Sequence, residues 1–465
     1  MEKKRGSFTG SIGFVLAAAG SAVGLGNIWR FPYLAAKDGG GLFLLVYLIL
    51  LVTFGFALLS SEVAIGRKTK QSPLTAYDKI QKGWKWLGIC ACIVPAIIMP
   101  YYSAIGGWVL KYFMVFASGE GAQAAQDGFF GAFITGQYDT VGYMAVFLVA
   151  CTAVIVLGVN KGIEASSKII MPLLIILILI ISLYSLTISY NDPSGVTRTG
   201  MEGLAIYLIP NFDGLTFSGF MTILMDAMGQ LFFSLSVAMG IMIAYGSYVS
   251  DDADAVSAVN RIEFFDTLVA MLAGLMIIPA VYTFMGVEGL ASSGPGLMFV
   301  SLPKVFQSMG SMGTVIGVMF FVMVLFAAVT SAVSIMEAVV SSIMDEFHIS
   351  RIKAAVIEFV VAMVFGIVVC LGYNDFYFEL TLPNGATAQV LDLMDYVSNN
   401  LLMPIVAIGT CVLIGWVAGP QVAISEFEKN GESFSRTKIY IFMIKYVAPV
   451  MLFILLVKSS GLITF

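Results

Sequence analysis

Apolar residues come in long runs separated by short polar joints. Eleven runs, at roughly 11–36, 41–66, 87–117, 140–159, 167–190, 217–248, 262–287, 311–344, 353–372, 391–418 and 437–457, are long enough to cross a bilayer. A helix needs about 20 residues for that. All are predicted as helices, because lipid offers no partner to an open sheet edge. The first run is too long and too rich in glycine to read as a cleaved leader. The joints leave no room for a soluble domain, so residues 1–465 read as one membrane unit.

Two runs are interrupted. The first carries Ala19-Gly20-Ser21-Ala22-Val23-Gly24-Leu25-Gly26-Asn27 at its middle, and the sixth carries Phe232-Phe233-Ser234-Leu235-Ser236-Val237-Ala238-Met239-Gly240, with Gly229-Gln230 before it. Interrupted spans at matching places in two five-helix halves point to an inverted-repeat carrier with its site at mid-membrane. Unwinding frees carbonyls for a cation and amides for an anion, and aims helix dipoles at the ligand. The expected architecture is an all-α membrane protein of eleven spans, with runs one and six broken. Residues 11–190 and 217–418 form the two repeats, and 437–457 adds a span. Glycines also serve plain close packing, the reading preferred for Gly39-Gly40-Gly41 and Gly106-Gly107. It does not suit Gly24 and Gly26, because Asn27 and Arg30 follow at once, and an arginine inside a span needs a partner.

Composition agrees with a lipid environment. The chain is 59% hydrophobic and 11% charged, with a mean hydropathy of +0.94. A soluble domain is nearer half apolar and a quarter charged. A net charge of -5 gives no reason to expect a nucleic-acid partner. Lys3, Lys4 and Arg5, then Arg67 through Lys85, Lys161 and Lys168, Arg351 and Lys353, and Arg436 and Lys438 all fall on one side. The positive-inside rule therefore puts the N-terminus in the cytoplasm of a cell (inner) membrane and the C-terminus outside. The acidic loop Asp251, Asp252 and Asp254 weighs little in that rule. Five cysteines, at 90, 92, 151, 370 and 411, sit in apolar runs without metal or disulfide spacing. The one histidine, His348, has no nucleophile or metal cluster around it, so enzyme chemistry has no foothold. A channel would line a pore with repeated rings, whereas these polar groups converge on one place.

The run from Ala19 to Pro32 resembles the first-span signature of the neurotransmitter:sodium symporter family. Gly39-Gly40-Gly41, Glu62-Val63-Ala64-Ile65-Gly66-Arg67, the sixth run, Ala327-Ala328-Val329-Thr330-Ser331 and Asp392-Leu393-Met394-Asp395 match it in order along the whole chain. The length resembles the eleven-span bacterial amino-acid carriers of that family. The resemblance implies sodium-coupled symport with two sodium sites. The first takes the Ala22 carbonyl, Asn27, Ser234 (where Thr is common) and Asp266 (where many members have Asn), together with the substrate carboxylate. The second takes the carbonyls of Gly20, Val23 and Ala327 and the hydroxyls of Thr330 and Ser331. These are hard oxygen donors suited to an alkali cation, although a membrane Ser or Thr ordinarily bonds back to its own helix.

For the substrate, the resemblance implies carboxylate contacts at the amides of Leu25 and Gly26 and the hydroxyl of Tyr102. The amino group would meet carbonyls near Ala22, Phe233 and Ser236. The side chain would face Ile98, Tyr102, Phe233, Met239, Ser331 and Ile335. That lining is apolar and uncharged, so a hydrophobic L-amino acid fits, with a small amino acid or amino-acid-like osmolyte as the alternative. Arg30 and Asp395 would close the outer side, and Arg5 and Asp345 the cytoplasmic side near Tyr248. Phe8 stands where the family often has Trp. Glu62 and Glu337 are intramembrane carboxylates for which partnered structural roles are as expected as functional ones. Asp266 fits either the sodium-ligand position or the place of the chloride that animal members bind, and in both it brings a fixed negative charge. Chloride is therefore not expected to be required. The sequence leaves oligomeric state open.

Overall fold

The computed structural model describes residues 6–192 and 195–463. Among them, nine unbroken helices are long and apolar enough to cross a membrane. In chain order the long helices and the halves of the broken ones are α1 (Ser11–Ala22), α2 (Gly26–Lys37), α3 (Gly41–Thr69), α4 (Lys85–Ala117), α5 (Gln137–Val156) and α6 (Val159–Thr187). They continue with α7 (Phe217–Ser234), α8 (Ile241–Ser247), α9 (Ala255–Gly289), α10 (Ser311–Phe347), α11 (Arg351–Leu371), α12 (Val390–Val417) and α13 (Thr437–Ser459). Two short antiparallel hairpins, Ser189–Asn191 with Thr197–Thr199 and Leu380–Thr381 with Thr387–Ala388, lie in the joints.

The helices overrun the apolar runs where polar residues supply caps. α9 begins at Ala255 rather than 262 because the Asp254 side chain accepts from the Ser257 amide at 2.9 Å, satisfying a first-turn donor. α10 ends at Phe347, where His348 adopts φ 54° as a left-handed cap.

Both interrupted runs are non-helical at their centres. α1 and α2 are bent by 53° across residues 23–25. The sixth run, read as one stretch over 217–248, is two helices, and its connection holds Ser236 at φ 52° and Ala238 at φ 63°. Left-handed backbone at a non-glycine residue costs about 1–3 kcal/mol, so something must hold it. The Ala238 amide donates to Glu62 Oε1 at 2.6 Å, and Glu62 is buried on α3. The broken helices are enclosed: α1 packs on α6, α9 and α10, α7 and α8 pack on α3, and α10 runs along α4.

The glycine pairs mark close approaches. A Cβ on Gly41 would lie 2.2 Å from the Leu208 carbonyl oxygen, and one on Gly106 would lie 2.4 Å from the Phe147 ring. At the end of α3, buried Arg67 donates to the carbonyls of Asp251 and Ala253 at 2.7 and 2.8 Å and to that of Glu426 at 3.0 Å. Hydrogen bonds from Lys70 and Lys429 hold the Asp251 carboxyl below its ordinary range.

Candidate functional site

The two breaks face each other and are tied together. Ser21 Oγ donates to Ser236 Oγ at 3.1 Å, and Ser236 Oγ donates to the Ser21 carbonyl at 3.1 Å. Gln230 Nε2 from α7 donates to the Gly26 carbonyl at 3.2 Å. Unwound backbone buried in a protein must find such partners.

A cavity lies between the breaks. Ala22, Ile98, Tyr102, Phe233, Ser236, Met239, Ser331 and Ile335 line it, with Ser21, Gly24 and Asn27. Leu25 and Gly26, whose amides are expected to meet a substrate carboxylate, are not among the lining residues. Gly26 packs against Phe233, since a Cβ there would meet that ring at 2.5 Å. Gly24 is another tight point, where a Cβ would lie 2.8 Å from Ser331 Oγ and 3.4 Å from the Tyr102 hydroxyl. The Tyr102 hydroxyl is near Ser331 and the Leu25 amide but makes no hydrogen bond of ordinary geometry among the described residues. A buried donor left so is available to a ligand.

Beside this cavity, Asn27, Ser234 and Asp266 form one cluster. Asn27 Nδ2 donates to Asp266 Oδ1 at 2.8 Å, and Ser234 Oγ donates to the same oxygen at 2.5 Å. Tyr47 completes it, donating to Asp266 Oδ2 at 3.2 Å. All four are buried. Asp266 thus meets Asn27 and Ser234, the residues named with it for the first sodium site. The Ala22 carbonyl accepts from the Gly24 amide at 3.0 Å.

The second cluster gathers where α10 crosses the end of α1. Ser331 Oγ lies 3.5 Å from both the Gly20 and the Val23 carbonyl oxygens and 3.1 Å from that of Ser21. Thr330 Oγ1 donates to the Ala327 carbonyl at 3.1 Å and to Phe326 at 3.0 Å. The residues named for the second sodium site therefore come together, with Thr330 in the back-bonded arrangement usual for a helix.

Beside the cavity is a vestibule lined by Arg30, Asp226, Asn399 and Lys458 among others, and half-buried Phe233 lies in the walls of both spaces. Among the described residues no direct ion pair joins Arg30 to Asp395. The Asp395 carboxylate takes Asn399 Nδ2 at 2.6 Å, with Arg30 close enough for its charge to act on it. Arg5, named with Asp345 for the other closure, lies outside the described residues. Asp345 accepts the Ser72 amide at 2.7 Å. Phe8 is buried edge-on against Tyr245 and Tyr248, at ring separations of 5.8 and 6.2 Å. Glu337 is partnered twice by Arg351 at 2.7 Å and once by the Tyr248 hydroxyl at 2.5 Å.

Sequence reasoning gave Tyr47 and Gln230 no role. Tyr47 sits in an apolar helix with nothing local to mark it. Gln230 was visible as an amide beside the break, but its partner lies 204 positions away.

Comparison with known proteins shows the family of the chain. The model of the sodium:neurotransmitter symporter family matches residues 5–120 and 135–464. The sodium-dependent transporter YhdH of Bacillus subtilis is 32% identical over 100% of both chains. The creatine transporter of Torpedo marmorata is 26% identical over 87% of this chain and 71% of that protein. The crystal structure of MhsT in complex with L-phenylalanine superposes with a TM-score of 0.85, at 33% identity, over 98% of this chain and 100% of that one. With a family match over nearly its whole length, the chain belongs to the sodium:neurotransmitter symporter family and is a sodium-dependent symporter.

Proposed function

We propose that this symporter carries a hydrophobic L-amino acid with two sodium ions across the cell membrane by alternating access. The observation that carries the substrate class is the cavity between the breaks, apolar on its Ile98, Met239 and Ile335 side and free of charged side chains. MhsT, of similar fold, holds L-phenylalanine in its crystal structure. Similarity to a creatine transporter favours the second reading, an amino-acid-like osmolyte.

In this reading the nine unbroken helices and the two broken ones make eleven spans in two inverted repeats, with the N-terminus cytoplasmic. The substrate carboxylate takes the Tyr102 hydroxyl and the break amides at Leu25 and Gly26. Its amino group takes carbonyls near Ala22, Phe233 and Ser236. One sodium joins the Asn27–Ser234–Asp266 cluster, and the other joins the Thr330–Ser331 cluster. The buried carboxylate of Asp266 supplies the negative charge for which animal members use chloride, so transport proceeds without that anion. Phe233 and Arg30 close the outer side, and Phe8, Tyr248 and Asp345 close the inner side.

The test is a thermal-shift screen of purified protein against all amino acids, with and without sodium, since a ligand of the folded state raises its apparent stability. Stabilisation by bulky apolar amino acids only in sodium is expected. Equal stabilisation in potassium would overturn the coupling, and uptake rising linearly with concentration would indicate a channel. Gly24 sharpens the substrate class. Amine carriers of the family have Asp there, and here the substrate must supply the carboxylate. A decarboxylated amine should therefore compete at least about tenfold more weakly than its amino acid in an uptake assay. Equal competition would remove this assignment.

A further inference from the structure

On the outer face of α1 and α9 runs a groove that the transport path does not use. Ile12, Val15 and Leu16 line it from α1, and Arg261, Phe264 and Phe265 line it from α9. Each set has the i, i+3, i+4 spacing of a single helix face, so two stripes meet edge to edge. Ile12 and Phe264 are each 61% exposed. The exposed guanidinium of Arg261 stands less than two turns into α9.

Arg261 has no hydrogen bond or ion pair among the described residues. Carboxylates on the surrounding elements are engaged elsewhere: Glu263 with Arg436 at 2.7 Å, Glu164 with Lys168 at 2.7 Å, and Asp254 on the Ser257 amide. The groove thus offers an apolar bed with one uncompensated cation at its mouth.

We propose that this groove binds one anionic phospholipid, with its phosphate on Arg261 and an acyl chain along Leu16, Phe264 and Phe265. A guanidinium matches two phosphate oxygens at once, and apolar contact with the chain fixes the lipid beneath it. A zwitterionic lipid carries its own cation beside the phosphate and gains less. The site has a route to transport. Asp266 follows Phe265 directly on α9, faces inward and holds Asn27, so the lipid braces α1 against the helix that carries the first ion cluster.

The proposal rests on the membrane-spanning reading and not on the substrate. Its test uses the full chain in nanodiscs of equal phosphatidylglycerol and phosphatidylcholine, followed by native mass spectrometry of the retained lipid. About fivefold preferential retention of one phosphatidylglycerol is expected, the size of one arginine's attraction to anionic lipid. R261Q should abolish that preference, and Leu16→Trp, which fills the groove, should release the lipid. R261Q should keep its melting temperature in pure phosphatidylcholine, since the side chain is exposed. Equal retention of both lipids by the wild type, or a preference that survives R261Q, would overturn the site. A sodium-dependent thermal shift with amino acid, measured on the same sample, reports separately on the transport reading.

Discussion

The two oxygen clusters beside the cavity differ in charge. Around Asn27 and Ser234 the donors converge on a fully buried carboxylate, Asp266. In the second cluster, Ser331 faces backbone carbonyls of the first break and Thr330 donates to carbonyls of its own helix, with no ionisable group among them. A buried carboxylate is costly unless a cation, a proton or several donors compensate it. The neutral cluster has no such need, because helix carbonyls and hydroxyls tolerate an empty site by bonding to one another. Under the proposed function, the first ion answers two negative charges, that of Asp266 and that of the substrate. The second ion answers only dipoles and serves to hold α1 to α10. The first cluster is then the place where substrate and sodium are coupled, and the second is the place where sodium sets conformation.

The largest expected effect breaks this contrast by removing the charge. Asp266→Asn keeps the shape and the contacts to Asn27 and Ser234 but leaves the first cluster neutral. One unit charge about 4 Å from a cation is worth about 4 kcal/mol at an effective dielectric near 20. The variant should lose roughly a hundredfold or more in sodium-driven uptake, with chloride restoring part of it. Wild-type uptake should be unchanged when gluconate replaces chloride. Collapse of wild-type uptake in gluconate would dismiss the built-in anion.

A smaller effect is expected at the neutral cluster. Replacing Thr330 and Ser331 together with Ala removes two hydroxyls and leaves the carbonyls in place. Hydrogen bonds to charged groups contribute about 1.5–3 kcal/mol each, and some of that is recovered by water. The sodium concentration for half-maximal uptake should rise about tenfold, with no response to chloride. Unchanged sodium dependence would mean that the two side chains serve the helix alone, as the back-bond of Thr330 to Phe326 already allows.

How far the sequence reveals these clusters follows from where their causes lie. The first break was legible because Gly20, Gly24 and Gly26 are local signals in an otherwise apolar run. The second break contains Ser236 and Ala238 in the left-handed region, and neither residue type announces that. Its cause is Glu62, distant in sequence, which holds the Ala238 amide. Asp266 was legible as a buried acid, but helix period alone could not choose its register. Its partners Asn27, Ser234 and Tyr47 lie on other helices, where no local pattern shows them. Charge leaves the Arg30–Asp395 closure open between a direct contact and one through water; among the described residues there is no direct ion pair, and Asn399, one turn along the same helix, donates to the carboxylate.

The smallest expected effect asks whether α1 links the clusters. Gly20 and Val23, whose carbonyls are acceptors of the neutral cluster, lie at the end of α1, whereas Asn27 lies beyond the break on α2. Loosening the start of α1 should therefore weaken the neutral cluster and spare the charged one. Phe8 anchors that start: its ring packs on Phe14, Tyr245 and Tyr248, and its amide donates to the Tyr248 carbonyl at 3.2 Å. Phe8→Ala removes the ring contacts while keeping the backbone bond. Under the proposed function these contacts belong to the state closed to the cytoplasm, so the state open to it should gain population. A cysteine placed near Tyr248 should label about two- to threefold faster, a shift of well under 1 kcal/mol. The half-saturating sodium concentration should rise by a similar factor. Combining Phe8→Ala with the Thr330–Ser331 double alanine should add little on the sodium axis, because both act on one element. Full additivity there would show that α1 and the neutral cluster move independently, and labelling unchanged in Phe8→Ala would show that the aromatic anchor does not hold the inner side closed.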